Sequence, residues 1–183
     1  MKKSEVITLG CRLNTFESEV IRRHGEGAGT TDTYVVNTCA VTAEAVRQAR
    51  QTIRRLRREK PEGTIIVSGC AAQINPDIFA AMPEVDRVLG NEEKLKAENY
   101  FPSQENRRVF VSDIMKVREM VGHPISGFDS QTRAFVQVQQ GCNHRCTFCI
   151  IPFSRGNSRS VGMGFLIDQV RELTKNGYKE CVL

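Results

Sequence analysis

Three short β-rich runs each lead into a cysteine. Residues 5–9 run into Gly10-Cys11, residues 33–37 into Thr38-Cys39, and residues 64–68 into Gly69-Cys70. Between them lie stretches with helical spacing, residues 14–23 closed by Gly25 and residues 43–59 opened by Thr42. Strands alternating with helices predict an α/β domain on a parallel sheet, because parallel neighbours need a crossover long enough to hold a helix. A short helix near residues 77–82 and further strands at 87–89 and 108–111 extend the pattern. In such a sheet the loops that follow the strands gather outside their carboxyl ends. Cys11, Cys39 and Cys70 are therefore expected along one edge of the domain. Any one of them reads equally well as a small buried hydrophobe, but three in equivalent places point to a shared site.

Composition narrows what that site can be. The chain has 183 residues, 40% of them hydrophobic, which sustains a packed core and excludes disorder for the bulk. Its seven cysteines are odd in number and too few for a disulfide scaffold, so the thiols are expected to stay free, bind metal or do chemistry. No apolar stretch approaches the roughly 20 residues that span a bilayer, and the Met1-Lys2-Lys3 start lacks the form of a signal peptide. A cytoplasmic protein without a membrane partner is expected.

Periodicity fades over residues 113–132, where Gly122, His123-Pro124, Ser126 and Gly127 mark a linker. This gives three parts: a parallel-sheet domain over 1–112, the linker, and a second unit over 133–183. The second unit opens with alternation over 134–139, a strand with Val136 and Val138 on one face and Gln137 and Gln139 on the other. It closes with a helix over 165–176, stopped by Gly177, and an apolar strand over 180–183 that holds Cys181, read as a core thiol. Between them stands Cys142-Asn143-His144-Arg145-Cys146-Thr147-Phe148-Cys149, a CxxxCxxC run. Thiolates at that spacing reach a common centre from one tight loop, and soft sulfur selects zinc or iron-sulfur clusters. Zinc would take His144 as its fourth ligand. A four-iron cluster would keep one iron open, since three cysteines serve four positions.

CxxxCxxC after a strand, with Phe148 directly before the last cysteine, resembles the radical S-adenosylmethionine (SAM) enzymes. Gly141-Cys142 through Arg155-Gly156 is similar to their methylthiotransferase branch, as are Leu9-Gly10-Cys11 with Asn14, Asn37-Thr38-Cys39 and Gly69-Cys70. The segments Asn37-Thr38-Cys39-Ala40-Val41-Thr42 and Cys70-Ala71-Ala72-Gln73 look most like the members that modify threonylcarbamoyladenosine beside the tRNA anticodon. The resemblance implies a parallel-sheet methylthiotransferase domain followed by the start of a radical SAM (βα) barrel. It implies two [4Fe-4S] clusters, an auxiliary one on Cys11, Cys39 and Cys70 and a SAM-binding one on Cys142, Cys146 and Cys149. Phe148 and Arg155 would lie near SAM, with Arg155 alternatively capping the loop. The first cluster would supply sulfur, the second an electron for SAM cleavage, and a second SAM a methyl group. A flavodoxin or ferredoxin would donate electrons, and tRNA would be the substrate.

Against that family pattern the chain supplies one complete barrel unit and the start of another, so it is expected to be an incomplete fragment, inactive alone. Two other readings stand beside the enzyme: a zinc-bound structural or RNA-binding module, and an electron-carrying iron-sulfur protein. The helix over 43–59 adds a basic feature. Val46, Ala49, Ile53 and Leu56 share its apolar face, while Arg47, Arg50, Arg54 and Arg58 form an outward stripe suited to phosphates or merely to solvent.

Overall fold

Alternating strands and helices build the expected parallel sheet. The computed structural model describes residues 4–25, 32–100, 107–128 and 131–183. Met1-Lys2-Lys3, and Asp129-Ser130 within the expected linker, lie outside the described residues. Strands β1 (Ser4–Thr8), β2 (Thr33–Thr38), β3 (Thr64–Gly69), β4 (Arg87–Leu89) and β5 (Val109–Phe110) form one five-stranded sheet in sequential order, every neighbour parallel. The central strands β2 and β3 are buried along nearly their whole length, which is why both read as continuous apolar runs.

Helix α2 (Ala43–Glu59) begins at Thr42, whose hydroxyl accepts the Ala45 amide at 3.1 Å and satisfies one of the donors left free at a helix start. Its buried Ala49, Ile53 and Leu56 pack with Tyr34, Val36, Ile65 and Val67 of the sheet, as the apolar spacing predicts. The short helices α3 (Cys70–Ile74) and α4 (Pro76–Ala80) add Ala71, Ala72 and Phe79 to the same cluster. Arg57 leaves the polar face to bind the sheet's amino-terminal end, donating to the carbonyls of Pro61, Gly63 and Glu84 and to Asp86 Oδ2 at 2.5 Å.

Helix α1 (Arg12–Gly25) covers the opposite face, where Ile21 meets Val35, Ile66 and Leu89. Its next stripe does not face the sheet. Phe16 and Val20 join a separate core with Ile125 and Phe128 from the expected linker and Ala134, Val136 and Leu173 from the second unit. The stretch after residue 113 is therefore partly packed: Ile114, Ile125 and Phe128 are buried, and a 3-10 turn forms over Ile114–Lys116.

The second unit departs from the expected single strand over 134–139. Two pieces form, β6 (Ala134–Phe135) and β7 (Gln139–Gln140). The first pairs in parallel with β9 (Cys181–Val182) and the second antiparallel with β8 (Arg159–Ser160). The reason lies in the partners: the Val136 amide still reaches Val182 O at 2.9 Å, while Val138 O accepts from Val161 at 3.0 Å, so the chain changes neighbours between them. Gln137 is buried in the crossing, breaking the alternation. Helix α5 (Ile151–Arg155) follows the CxxxCxxC loop, and α6 (Met163–Lys175) runs from a glycine start with no side-chain cap.

One glycine is indispensable to the sheet's carboxyl edge. Gly69 adopts φ +95°, and a Cβ there would stand 2.4 Å from Thr38 O and 2.5 Å from Thr38 N, both backbone atoms of the neighbouring strand. Gly69→Ala is expected to destabilise the chain by at least about 1–2 kcal/mol from the left-handed conformation alone, with the clash in addition. Urea unfolding followed by circular dichroism measures it; an unchanged midpoint would contradict the contact.

Candidate functional site

The register of the three inner strands fixes where their cysteines emerge. Thr38 pairs with Gly69, so Cys39 and Cys70 leave the sheet side by side. Leu9 donates its amide to Asn37 O at 2.9 Å, extending the β1–β2 ladder one step and setting Gly10 opposite Cys39. A Cβ on Gly10 would come within 3.0 Å of Cys39 Sγ, so the backbone before Cys11 rests directly on the second cysteine. Cys11 is exposed, Cys39 and Cys70 are buried, and all seven cysteines are free. The strand ends thus bring Cys11, Cys39 and Cys70 to one edge.

Beneath that edge lies a buried ionic cluster. Glu17 of α1 and Lys94 are fully buried and Arg155 is 3% exposed. Lys94 Nζ donates to Glu17 Oε2 at 2.6 Å and to Asn37 Oδ1 at 3.2 Å. Arg155 holds both carboxylate oxygens of Glu17, and its second terminal nitrogen also donates to Asn14 Oδ1. Asn14 in turn donates to Leu9 O at 2.6 Å and Thr38 O at 3.1 Å, tying the cluster to the strand ends that carry Cys11 and Cys39. Arg155 Nε points at Cys70 Sγ, 3.1 Å away. Asn91 donates to Ser154 O at 2.6 Å and lies 3.9 Å from the same sulfur. Arg155 therefore faces the first cysteine group from the far end of α5.

Burial by itself raises the Glu17 carboxyl, but the charges of Arg155 and Lys94 outweigh it and hold it below the ordinary 4.5. For Arg155, burial favours the neutral form and the carboxylate of Glu17 more than reverses it. Desolvation dominates at Lys94 and lowers it, against the pull of Glu17.

The second cysteine group sits on an open loop. Cys142 and Cys149 are half-buried, Cys146 is exposed, and Phe148 is 90% exposed. The Cys142 amide donates to Gly156 O at 3.1 Å and the Cys149 amide to Cys146 O at 3.0 Å, which closes the loop on itself. Arg145 bridges it, donating to Cys142 O at 2.8 Å and to Asn157 Oδ1 at 2.5 Å. Cys181 stands in β9 beside the Phe16 cluster, in keeping with a packed thiol.

Among the described residues no three His, Cys, Asp or Glu side chains converge tightly enough to hold a metal ion. A single zinc needs its ligands about 2.0–2.3 Å from one point, and His144 with Cys142, Cys146 and Cys149 does not gather that way. A four-iron cluster spreads its thiolates over separate irons and asks for a wider, softer donor set. Two sets of three thiols stand on an open loop and at a sheet edge beside a buried cation, and in chemical type such sulfur donors suit an iron-sulfur group.

Glu17, Lys94 and Asn91 are the residues that sequence reasoning missed. Glu17 did leave a signal: it occupies the apolar face of α1 with Phe16, Val20 and Ile21, where an acid has no reason to be unless it is paired.

Residues 3–90 match the family described as Uncharacterized protein family UPF0004. Over 99% of its length the chain is 49% identical to the Threonylcarbamoyladenosine tRNA methylthiotransferase MtaB of Rickettsia prowazekii. It is 42% identical over 96% of its length to the protein of that name from Bacillus subtilis. Along nearly its whole length the chain is similar to part of these methylthiotransferases. A more distant relative, the tRNA-2-methylthio-N(6)-dimethylallyladenosine synthase of Thermodesulfovibrio yellowstonii, is 29% identical over 96% of the chain. The chain spans 42–43% of the length of these relatives.

The buried carboxylate makes a stability prediction for this chain. Because the folded carboxyl titrates below 4.5, its contribution is fully present above that pH and is lost as pH falls through the lower folded value. Glu17→Gln leaves Lys94 and Arg155 facing each other without the carboxylate and is expected to cost about 3–5 kcal/mol. Unfolding by urea across pH 3–7 checks both: the parent should lose stability at the acid end, and the variant should start lower and vary less there.

Proposed function

We propose that the chain supplies the cysteine framework of a tRNA methylthiotransferase that acts on N6-threonylcarbamoyladenosine beside the anticodon by radical SAM chemistry. The observation that carries this is the pairing of two cysteine groups in one packed structure. Cys11, Cys39 and Cys70 stand at the strand ends, and the helix that leaves the CxxxCxxC loop ends with Arg155 against Cys70. The choice of nucleoside is supported by the relatives at 49% and 42% identity, both named for threonylcarbamoyladenosine.

In this reading Cys142, Cys146 and Cys149 hold one iron-sulfur cluster and Cys11, Cys39 and Cys70 the other. When bound, the two clusters supply the electron that cleaves SAM and the sulfur that is transferred. The protein's own part is positional. The open loop leaves SAM a route in, and exposed Phe148 offers it an apolar surface. The sheet edge shields Cys39 and Cys70 from water while Cys11 is exposed. A flavodoxin or ferredoxin would deliver electrons, in the cytoplasm; no described helix is long and apolar enough to cross a membrane. A zinc module is the weaker reading, since the similar proteins are named as methylthiotransferases and not as zinc-binding modules.

Helix α2 offers a surface for the RNA backbone. Arg47, Arg50, Arg54, Arg55 and Arg58 are all exposed along it. Arg54, Arg55 and Arg58 line a groove of about 510 Å³ that also includes Leu9, two residues before Cys11. Phosphate contacts need no base specificity, so such a stripe would hold the tRNA while other residues select the nucleoside.

Two outcomes are expected. After anaerobic reconstitution, replacing Cys142, Cys146 and Cys149 by Ala should remove roughly half the iron and abolish SAM binding, leaving the first group loaded. A parent chain that takes up about four irons or fewer defeats the two-cluster reading. For RNA, changing Arg50, Arg54 and Arg58 to Ala should weaken binding of an anticodon stem-loop and flatten its log-log salt dependence by up to about 2–3 units. An unchanged salt slope would return the stripe to a merely solvated face.

A further inference from the structure

The buried ionic cluster does not balance. By formal charge one acid, Glu17, stands against two bases, Lys94 and Arg155, all in side chains no more than 3% exposed. A net positive charge held out of water is costly unless something negative faces it. Lys94 is spent on Glu17 and Asn37, and the two terminal nitrogens of Arg155 are spent on Glu17 and Asn14. The remaining direction is that of Arg155 Nε, aimed at Cys70 Sγ at 3.1 Å.

We propose that Arg155 is a positioning residue for the first cysteine group: it presents a fixed hydrogen bond and the cluster's surplus positive charge to the thiolate that Cys70 contributes. This rests on the reading that Cys11, Cys39 and Cys70 hold an iron-sulfur group. Metal-bound cysteines are deprotonated, so such a group brings negative charge to the place where the excess cation waits. Hydrogen bonds and charges at ligating sulfurs are among the levers that set a cluster's potential and spectrum. The guanidinium suits the role because its planar fork can hold Glu17 with its terminal nitrogens and still direct Nε elsewhere. Its origin matters as well. Arg155 ends the helix that follows Cys142, Cys146 and Cys149, so the segment carrying one cysteine group completes the surroundings of the other.

The test uses the full 183-residue chain with Cys142, Cys146 and Cys149 changed to Ala, so that iron reports the first group alone. After anaerobic reconstitution, Arg155→Met should keep the iron content, lower the midpoint potential and alter the paramagnetic resonance spectrum of the reduced cluster. Arg155→Lys, which restores the charge without the fork, should recover the potential in part. Lys94 still pairs Glu17 in these variants, and Arg155→Gln carries the same comparison should the methionine variant fail to fold. Equal potential and spectrum in parent and variant, at equal iron content, overturn the role of Arg155 and leave the cluster reading intact. A parent that takes up no iron overturns both.

Discussion

The carboxylate of Glu17 is the point at which the two halves of this chain are joined. It accepts from Lys94, which follows β4, and from Arg155, which follows the CxxxCxxC loop. Sequence separations of 77 and 138 residues close on one side chain with no access to water. An exposed pair of this kind would contribute a few tenths of a kcal/mol, but here removing one partner strands the others in a dry interior. The contact is therefore better understood as a device for specifying geometry than as a source of net stability. It accepts only one arrangement of α1, β4 and α5, and that arrangement sets Arg155 against Cys70.

Parallel-sheet geometry supplies the other half of the placement. Strands in sequential order, all pointing one way, must deliver their following loops to one edge, and the Thr38–Gly69 register brings Cys39 and Cys70 out together. Gly69 lets the backbones approach closely enough for this. Apolar packing does the rest: Ile53 and Leu56 hold α2 to one face, and Phe16 and Val20 turn the far side of α1 into a second core shared with the CxxxCxxC-bearing unit. Each such side chain contributes about 1.5–3 kcal/mol when buried, so these two cores, and not the ion cluster, supply most of the driving force.

What the sequence disclosed follows the same division. The five strands, the capped and amphipathic α2 and the edge position of the first three cysteines were legible, because each rests on local periodicity or on a rule of sheet topology. The division of residues 134–140 into two short strands was not, since it depends on which distant segments, Cys181–Val182 and Arg159–Ser160, are available as partners. Arg155 was legible as a residue of interest near the loop, but its direction was not, because its partners lie in helices and turns far away along the chain. Lys94 left no signal at all: in Glu92-Glu93-Lys94-Leu95-Lys96 it reads as one more surface charge.

These constraints together explain why the cysteine groups differ in character. The first stands at the end of a parallel sheet with two of its thiols buried, so strand register and packing place it. The second lies on a loop held by its own backbone and by Arg145, with its sulfurs largely open. Under the proposed function the first group would gain from shielding and a fixed position, and the second from an open approach. The joint between them is a buried and charged contact: Arg155, at the end of the helix that leaves the loop, reaches Glu17 of α1 and Cys70 at the sheet edge.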